Sequence, residues 1–343
     1  MLAGNTVFVL GAGSSATFGM PIGSGLLTEI ERDLTFRFEF GERLLNGDPD
    51  IAARIRRRPE SERRPLYEGA AKLVAALPGF NSIDDCLYTH GDDPAVRQIG
   101  KVAIARAISR CEHKSWLRHL ASPDQEERLG ALKRLRGGWV HSLVRLLVTG
   151  RKAKDAAHLF SDIALVTFNY ERSAELAIYH LAKEAMNMSD QEAGEALAGL
   201  KIYRPYGGLG SLRLPHRNGV PFGSQQVDIF EMAESISVYT EDLGERPDLI
   251  EMADMISKAD SIVFLGFGFH TQNMNLIAAD SLPNHPRAIY ATMTEEPLAR
   301  QDVFRERVQS SLQPQGGFAR KMNLTSAHDC DGFMRDYGAL LSG

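Results

Sequence analysis

The chain has 343 residues, 43% of them hydrophobic and 24% charged, enough apolar material for one large core or two modest ones. Its formal charge is -5, from 39 basic against 44 acidic residues, so no global field favours nucleic acid as a partner. Three cysteines, Cys86, Cys111 and Cys330, stand far apart with no CxxC pair, which excludes a cysteine-knuckle zinc ribbon and a disulfide framework and implies small buried thiols in a reducing compartment.

Val7 to Leu10 (VFVL) is a continuous apolar run that leads straight into Gly11-Ala12-Gly13-Ser14-Ser15 and then a helix-compatible stretch near Leu26 to Leu34. The parse is strand, glycine turn, helix. From about residue 35 to 160 no convincing strand occurs. That region reads as helices over Tyr67 to Ala76, Ala95 to Leu120 and Glu126 to Val148, with loop signals at Pro49, Pro59, Pro78-Gly79, Pro94 and Gly137-Gly138. It is too long for a crossover loop, which predicts a helical subdomain, 35–160, inserted in a nucleotide-binding domain made of 1–34 and 161–343. Within it, Arg54 to Arg64 (RIRRRPESERR) packs six arginines into eleven positions. A solvated helix end or loop is one reading; a phosphate-rich partner or charged subunit contact is the other.

Buried-strand runs resume at Ile163 to Phe168, Ile202 to Tyr206, Ser235 to Tyr239, Ser261 to Leu265 and Ala288 to Thr292. The tail from Leu324 to Leu341 reads as a final strand or turn and a closing helix. Continuous apolar strands separated by helical patterns predict an α/β fold, a parallel sheet of about six strands covered on both faces. No basic region precedes the first apolar stretch, and none approaches the ~18 apolar residues of a membrane span, so a cytoplasmic protein without membrane contact is expected.

Open α/β sheets bind ligands at the carboxyl ends of their strands, and three such ends carry suggestive residues. Gly11-Ala12-Gly13-Ser14-Ser15 can turn tightly and bring backbone N–H groups and two hydroxyls to a pyrophosphate, or simply serve strand–helix packing. The full GxGxxG fingerprint is missing: the pattern is G-A-G-S-S-A, with no clear acidic residue ending a second strand about twenty residues on. In Thr167-Phe168-Asn169-Tyr170-Glu171, Asn169 has the donor and acceptor to hold a ribose hydroxyl or a water, or else caps the following helix. Gly266-Phe267-Gly268-Phe269-His270, followed by Asn273, repeats the pattern as a close approach to a ligand or a plain turn. His113 and His119 are six apart, and neither HExxH nor a cysteine cluster occurs, so no metal site is expected.

These segments together resemble the sirtuin family. GAGSSATFGMP, with Gly19-Met20-Pro21, is similar to the sirtuin opening motif; TFNYE resembles the segment whose Asn contacts the ribose; SIVFLGFGFHTQN resembles the late nucleotide-holding strand and turn of bacterial sirtuin-like proteins. Ser82-Ile83-Asp84-Asp85 also looks like a recurring segment of that group. The resemblance implies a Rossmann-like sirtuin fold and NAD or ADP-ribose as ligand. It implies contacts from Gly11, Ala12, Gly13, Ser14, Ser15, Pro21, Thr167, Asn169, Gly207, Gly266, Gly268 and Asn273. Two departures matter. The zinc-ribbon cysteines are missing, which argues against peptide deacetylation and for no zinc. Where the family has its catalytic His, Arg204-Pro205-Tyr206-Gly207-Gly208 places Tyr206, which with a reference pKa of about 10 is a poor base near neutrality but can hydrogen-bond a ribose. His216, ten residues on, and His270, on the other glycine turn, either substitute for it in space or are ordinary polar residues. The expected activity is NAD glycohydrolysis to nicotinamide and ADP-ribose, with Asn169 and Tyr206 as catalytic candidates, in antiphage defence and under an activating protein partner or homo-oligomer. The competing expectation is a catalytically impaired NAD or ADP-ribose sensor; a nucleotide-independent scaffold comes third.

Overall fold

The molecule is built on a central strand that is buried at every position and apolar from Val7 to Leu10. β1 (Thr6–Leu10) is buried along its whole length and pairs in parallel with β4 (Ile163–Thr167) on one side and β6 (Ser261–Leu265) on the other. In this computed structural model, which describes residues 4–40, 43–215, 217–238, 246–278, 287–293, 297–312, 321–325 and 328–341, β5 (Lys201–Tyr203), β7 (Ala288–Thr292) and β8 (Lys321–Thr325) complete a six-stranded sheet. Its order is β5-β4-β1-β6-β7-β8, and every pairing is parallel. Renumbered within the sheet this is 3-2-1-4-5-6, the doubly wound order of dinucleotide-binding folds, with its switch point between β1 and β6. The fold is thus the α/β parallel sheet that the apolar strand runs predict, and it is compatible with a Rossmann-like architecture.

Alternation along the strands divides the interior into two layers. Val7 and Val9 of β1, Val166 of β4 and Phe264 of β6 face one hydrophobic cluster; Phe8, Leu10, Leu165 and Leu265 face the other. The helices between β1 and β4 join both layers. Ile51, Leu73 and Val102, from helices Pro49–Arg56, Glu60–Ala76 and Pro94–Lys114, lie in the first; Trp139 and Leu143 of helix Trp139–Val148 lie in the second.

Several elements differ from the sequence reading for identifiable reasons. A small antiparallel hairpin, β2 (Arg37–Glu39) and β3 (Arg43–Asn46), occurs where no strand is expected; it is short, charged and largely exposed. The stretch Ala95 to Leu120 is helical only to Lys114, because Ser115 turns extended and its hydroxyl donates to the Phe18 carbonyl at 2.7 Å, after which a 3-10 turn runs from Trp116 to Ala121. Glu126 to Val148 is two helices, parted at Gly137, whose φ is 82°. Ser235 to Val238 forms no strand: Ile236 makes a single bridge to Gly207, and Tyr239 lies outside the described residues. The run Ile202 to Tyr206 leaves the sheet after Tyr203. Among the described residues no helix is long and apolar enough to cross a membrane.

Four arginines of the run are ion-paired. Arg54 bonds Asp50 and Asp228, Arg58 bonds Glu62, Arg63 bonds Glu60 and Arg64 bonds Glu68. The cysteines are free; burial pushes the Cys86 thiol up to about 11 and the Cys330 thiol up to about 12, while Cys111 is only half-buried. Because the thiolate is the reactive form, iodoacetamide should alkylate Cys111 first and reach Cys86 and Cys330 only on unfolding. Equal labelling of all three in the folded protein, read by mass spectrometry, would contradict this packing.

Candidate functional site

The glycine turns after β1 and β6 meet at the switch point. The Gly11 amide donates to the Leu265 carbonyl and the Gly13 amide to the Gly266 carbonyl, both at 3.0 Å. The turns touch backbone to backbone, so a Cβ on Gly11 would lie 2.5 Å from the Gly266 oxygen and one on Gly13 2.8 Å from the Gly266 Cα. Close backbone approach is therefore the reason for these glycines, and the approaching partner within the chain is the other turn. The residues after Gly11 form a 3-10 helix, Ala12–Phe18, rather than an α-helix.

Ser14 and Ser15 both turn inward. The Ser14 hydroxyl donates to the Gly11 carbonyl at 2.8 Å, and the Ser14 carbonyl accepts the Trp139 indole N–H at 2.7 Å. The Ser15 hydroxyl donates to the Glu171 carboxylate. From the end of β4, the Asn169 amide nitrogen donates to the Gly11 carbonyl and the Ser15 Oγ, both at 3.0 Å, and lies 3.2 Å from the Glu171 Oε1. Thr167 Oγ1 accepts from the Asn169 backbone amide at 3.2 Å. Ser15, Asn169 and Glu171 are all buried, so this polar cluster is a fixed feature of the interior. Asn169 is not the cap of the next helix: Glu171 accepts from the Ser173 amide at the start of helix Ser173–Ala185, where a carboxylate also meets the positive end of the helix dipole.

Over this cluster lies a small cavity of about 90 Å³. Ala12, Ser15, Pro21 and Asn169 line it together with Asp84, Tyr170 and Glu171. Asp84 comes from the first turn of helix Ile83–His90, whose N-terminus Ser82 caps through its hydroxyl to the Asp85 amide at 3.1 Å. Tyr170 donates its hydroxyl to the Asp84 carboxylate. Burial pushes the Asp84 carboxyl above its ordinary value, with the Tyr170 hydrogen bond acting the other way. Burial and then the Asp84 charge push the Tyr170 hydroxyl well up. Asp84, Tyr170 and Glu171 stand inside quoted motifs, yet nothing in the sequence shows that residues 86 positions apart meet.

The other expected residues are not among those that line the cavity. Tyr206 is buried, packs edge-on to Phe168 with ring centroids 5.6 Å apart, and donates its hydroxyl to the Asn273 Oδ1 at 2.7 Å. Gly207 packs against the Ser235 carbonyl, and Gly268 is exposed beside the His270 ring. His270 is exposed at the start of the short helix Thr271–Ile277, and His216 lies outside the described residues. His113 and His119 have ordinary partners, the Gly223 carbonyl at 3.1 Å and Glu127 at 3.0 Å. Among the described residues no group of three His, Cys, Asp or Glu side chains is placed to hold a metal ion.

No protein-family model matches the chain, and no curated protein matches it either.

Proposed function

We propose that the chain binds NAD at the crevice between the Ala12–Ser15 turn and Asn169 and hydrolyses the nicotinamide–ribose bond, releasing nicotinamide and ADP-ribose. The observation that carries this reading is the buried Ser15–Asn169–Glu171 cluster beside the glycine turns of a 3-2-1-4-5-6 sheet, where such folds hold dinucleotides. The sirtuin-like resemblance supports it, since its first two strand-end motifs supply this cluster and the third packs against the opening glycine turn. At about 90 Å³ the cavity has the scale of one small planar group, well below the roughly 300–1,000 Å³ of whole-ligand pockets. In this reading it takes the nicotinamide end, and the rest of the nucleotide lies outside along the glycine turns.

Positive charge develops on the ribose as nicotinamide departs, as in glycoside hydrolysis. The carboxylate of Glu171 borders the cavity and stabilises that charge; Asn169 orients the ribose or the attacking water through its remaining carbonyl oxygen. Incubation with NAD and chromatography of the products tests this. Asn169→Ala should lower turnover by about a hundredfold or more while the protein still melts cooperatively. Undiminished turnover in that variant would remove Asn169 from the chemistry.

One observation favours a second reading, an NAD or ADP-ribose sensor. Tyr206 holds the position of the family histidine, yet it is buried and its hydroxyl is donated to Asn273, so it is no general base. Calorimetry that finds tight NAD binding with the nucleotide recovered intact would select the sensor. Activation by a partner or by self-association, and a role in antiphage defence by NAD depletion, follow from the resemblance and belong to the same proposal.

A further inference from the structure

The arginine run has a second aspect that its ion pairs do not exhaust. Arg56, Arg63 and Arg64 border an open groove of about 1310 Å³ between the β2–β3 hairpin and helix Glu60–Ala76. Aromatic rings line it as well: Phe36, Phe38 and Tyr67 pack together, Phe36 and Phe38 stacked at 17° and Tyr67 edge-on to both. All three rings are half-buried and line the groove, and the Arg56 guanidinium lies 4.9 Å over the Phe38 ring. The groove shares no lining residue with the cavity at the strand ends.

We infer that this groove is a nucleotide-binding site separate from the strand-end crevice, taking a flat base against Phe36, Phe38 and Tyr67 and phosphate on Arg56, Arg63 and Arg64. Half-buried aromatic rings along an open groove are a surface on which a base can stack, and every base has a π-face to offer. Guanidinium forks match phosphate oxygens in pairs. The existing partners of Arg63 and Arg64 are no obstacle. Glu60 is 90% exposed, and the Arg64–Glu68 pair is exposed on both sides at 84% and 54%. Such one-turn surface pairs hold weakly and exchange readily for a doubly charged phosphate. An acidic peptide would satisfy the arginines but leave the three rings without a use, so the aromatic lining decides for a nucleotide. The size agrees, since the groove exceeds what a mononucleotide fills. This inference does not rest on NAD hydrolysis at the crevice.

The test is calorimetric titration of the full chain with ADP, read as binding at the groove. ADP should bind there, more weakly as salt rises. Phe38→Ala should weaken it by about five- to a hundredfold through lost stacking. Arg64→Glu, at an 84% exposed position where folding is not at stake, should weaken it too, and adenosine should bind less well than ADP. ADP binding that the groove variants leave unchanged would overturn the inference, as would no ADP binding at all. Poly-glutamate competing as effectively as ADP would assign the groove to acidic chains and overturn it as well. Hydrolysis of NAD, present or absent, bears on none of these outcomes.

Discussion

Glu112→Ala should lower the stability of this protein by about 3–5 kcal/mol, the scale of a buried ion pair deprived of one partner. Glu112 and Arg172 are 0% and 1% exposed, and their charges meet at 2.6 Å. Both carboxylate oxygens are doubly used. Oε1 accepts from the Arg172 backbone amide at 3.0 Å and its Nε at 3.1 Å; Oε2 accepts from Arg172 Nη2 and from the Gly223 amide at 2.9 Å. The guanidinium also donates to the carbonyls of Val220 and Pro221, so removing Glu112 strands a cation that cannot reach water. Urea unfolding should show a lower midpoint with an unchanged slope, whereas Lys258→Ala, which breaks an exposed pair with Asp254, should leave the midpoint where it is. A shift in Glu112→Ala no larger than that of Lys258→Ala would mean that the pair is not dry.

The same clasp ties the fold to the candidate site. Arg172 follows Glu171 directly, and Arg204 holds the carbonyls of Asn169 and Glu171 at 3.2 and 3.0 Å. Helix Pro94–Lys114, which carries Glu112, also presents Ile108 to the cavity wall. In Glu112→Ala, any change in NAD handling should therefore accompany the loss of stability.

How much of this was legible in the sequence depended on whether the signal was local. β1, β4, β6 and β7 are nearly wholly buried, so each appears as an unbroken apolar run, and the rule that ligands gather at strand ends then selects Gly11, Asn169 and Gly266. β2 and β3 are exposed and charged and leave no such run, and β8 (KMNLT) mixes polar with apolar residues. Ser235 to Val238 carries strand-like composition for another reason: Ile236 and Val238 are buried against the turn around Tyr206, where Ser237 donates to the Tyr206 carbonyl at 3.0 Å. The Asp84–Tyr170 pair and the Glu112–Arg172 clasp join residues that only the tertiary fold brings together, and a single sequence holds no trace of them.

Gly266→Ala should be strongly damaging at the candidate site, because two separate penalties coincide there. Gly266 sits at φ 58°, in the left-handed region that costs an L-residue about 1–2 kcal/mol. Its absent Cβ would also stand 2.1 Å from the Ser14 nitrogen and 2.3 Å from the Gly13 carbon, backbone atoms that cannot swing aside. Relief requires parting the two turns, which breaks the Gly13-to-Gly266 bond at 3.0 Å and loosens the Gly11 carbonyl on which Asn169 rests. Gly19 separates the terms: its φ is 81°, yet nothing lies within 4 Å of a Cβ there, so Gly19→Ala should show the backbone penalty alone. The difference between the two variants in urea unfolding then measures the contact between the turns. A loss in Gly266→Ala equal to that in Gly19→Ala would show that the turns can part freely. A larger loss, together with weakened NAD binding, is the result expected if the meeting of the turns shapes the crevice.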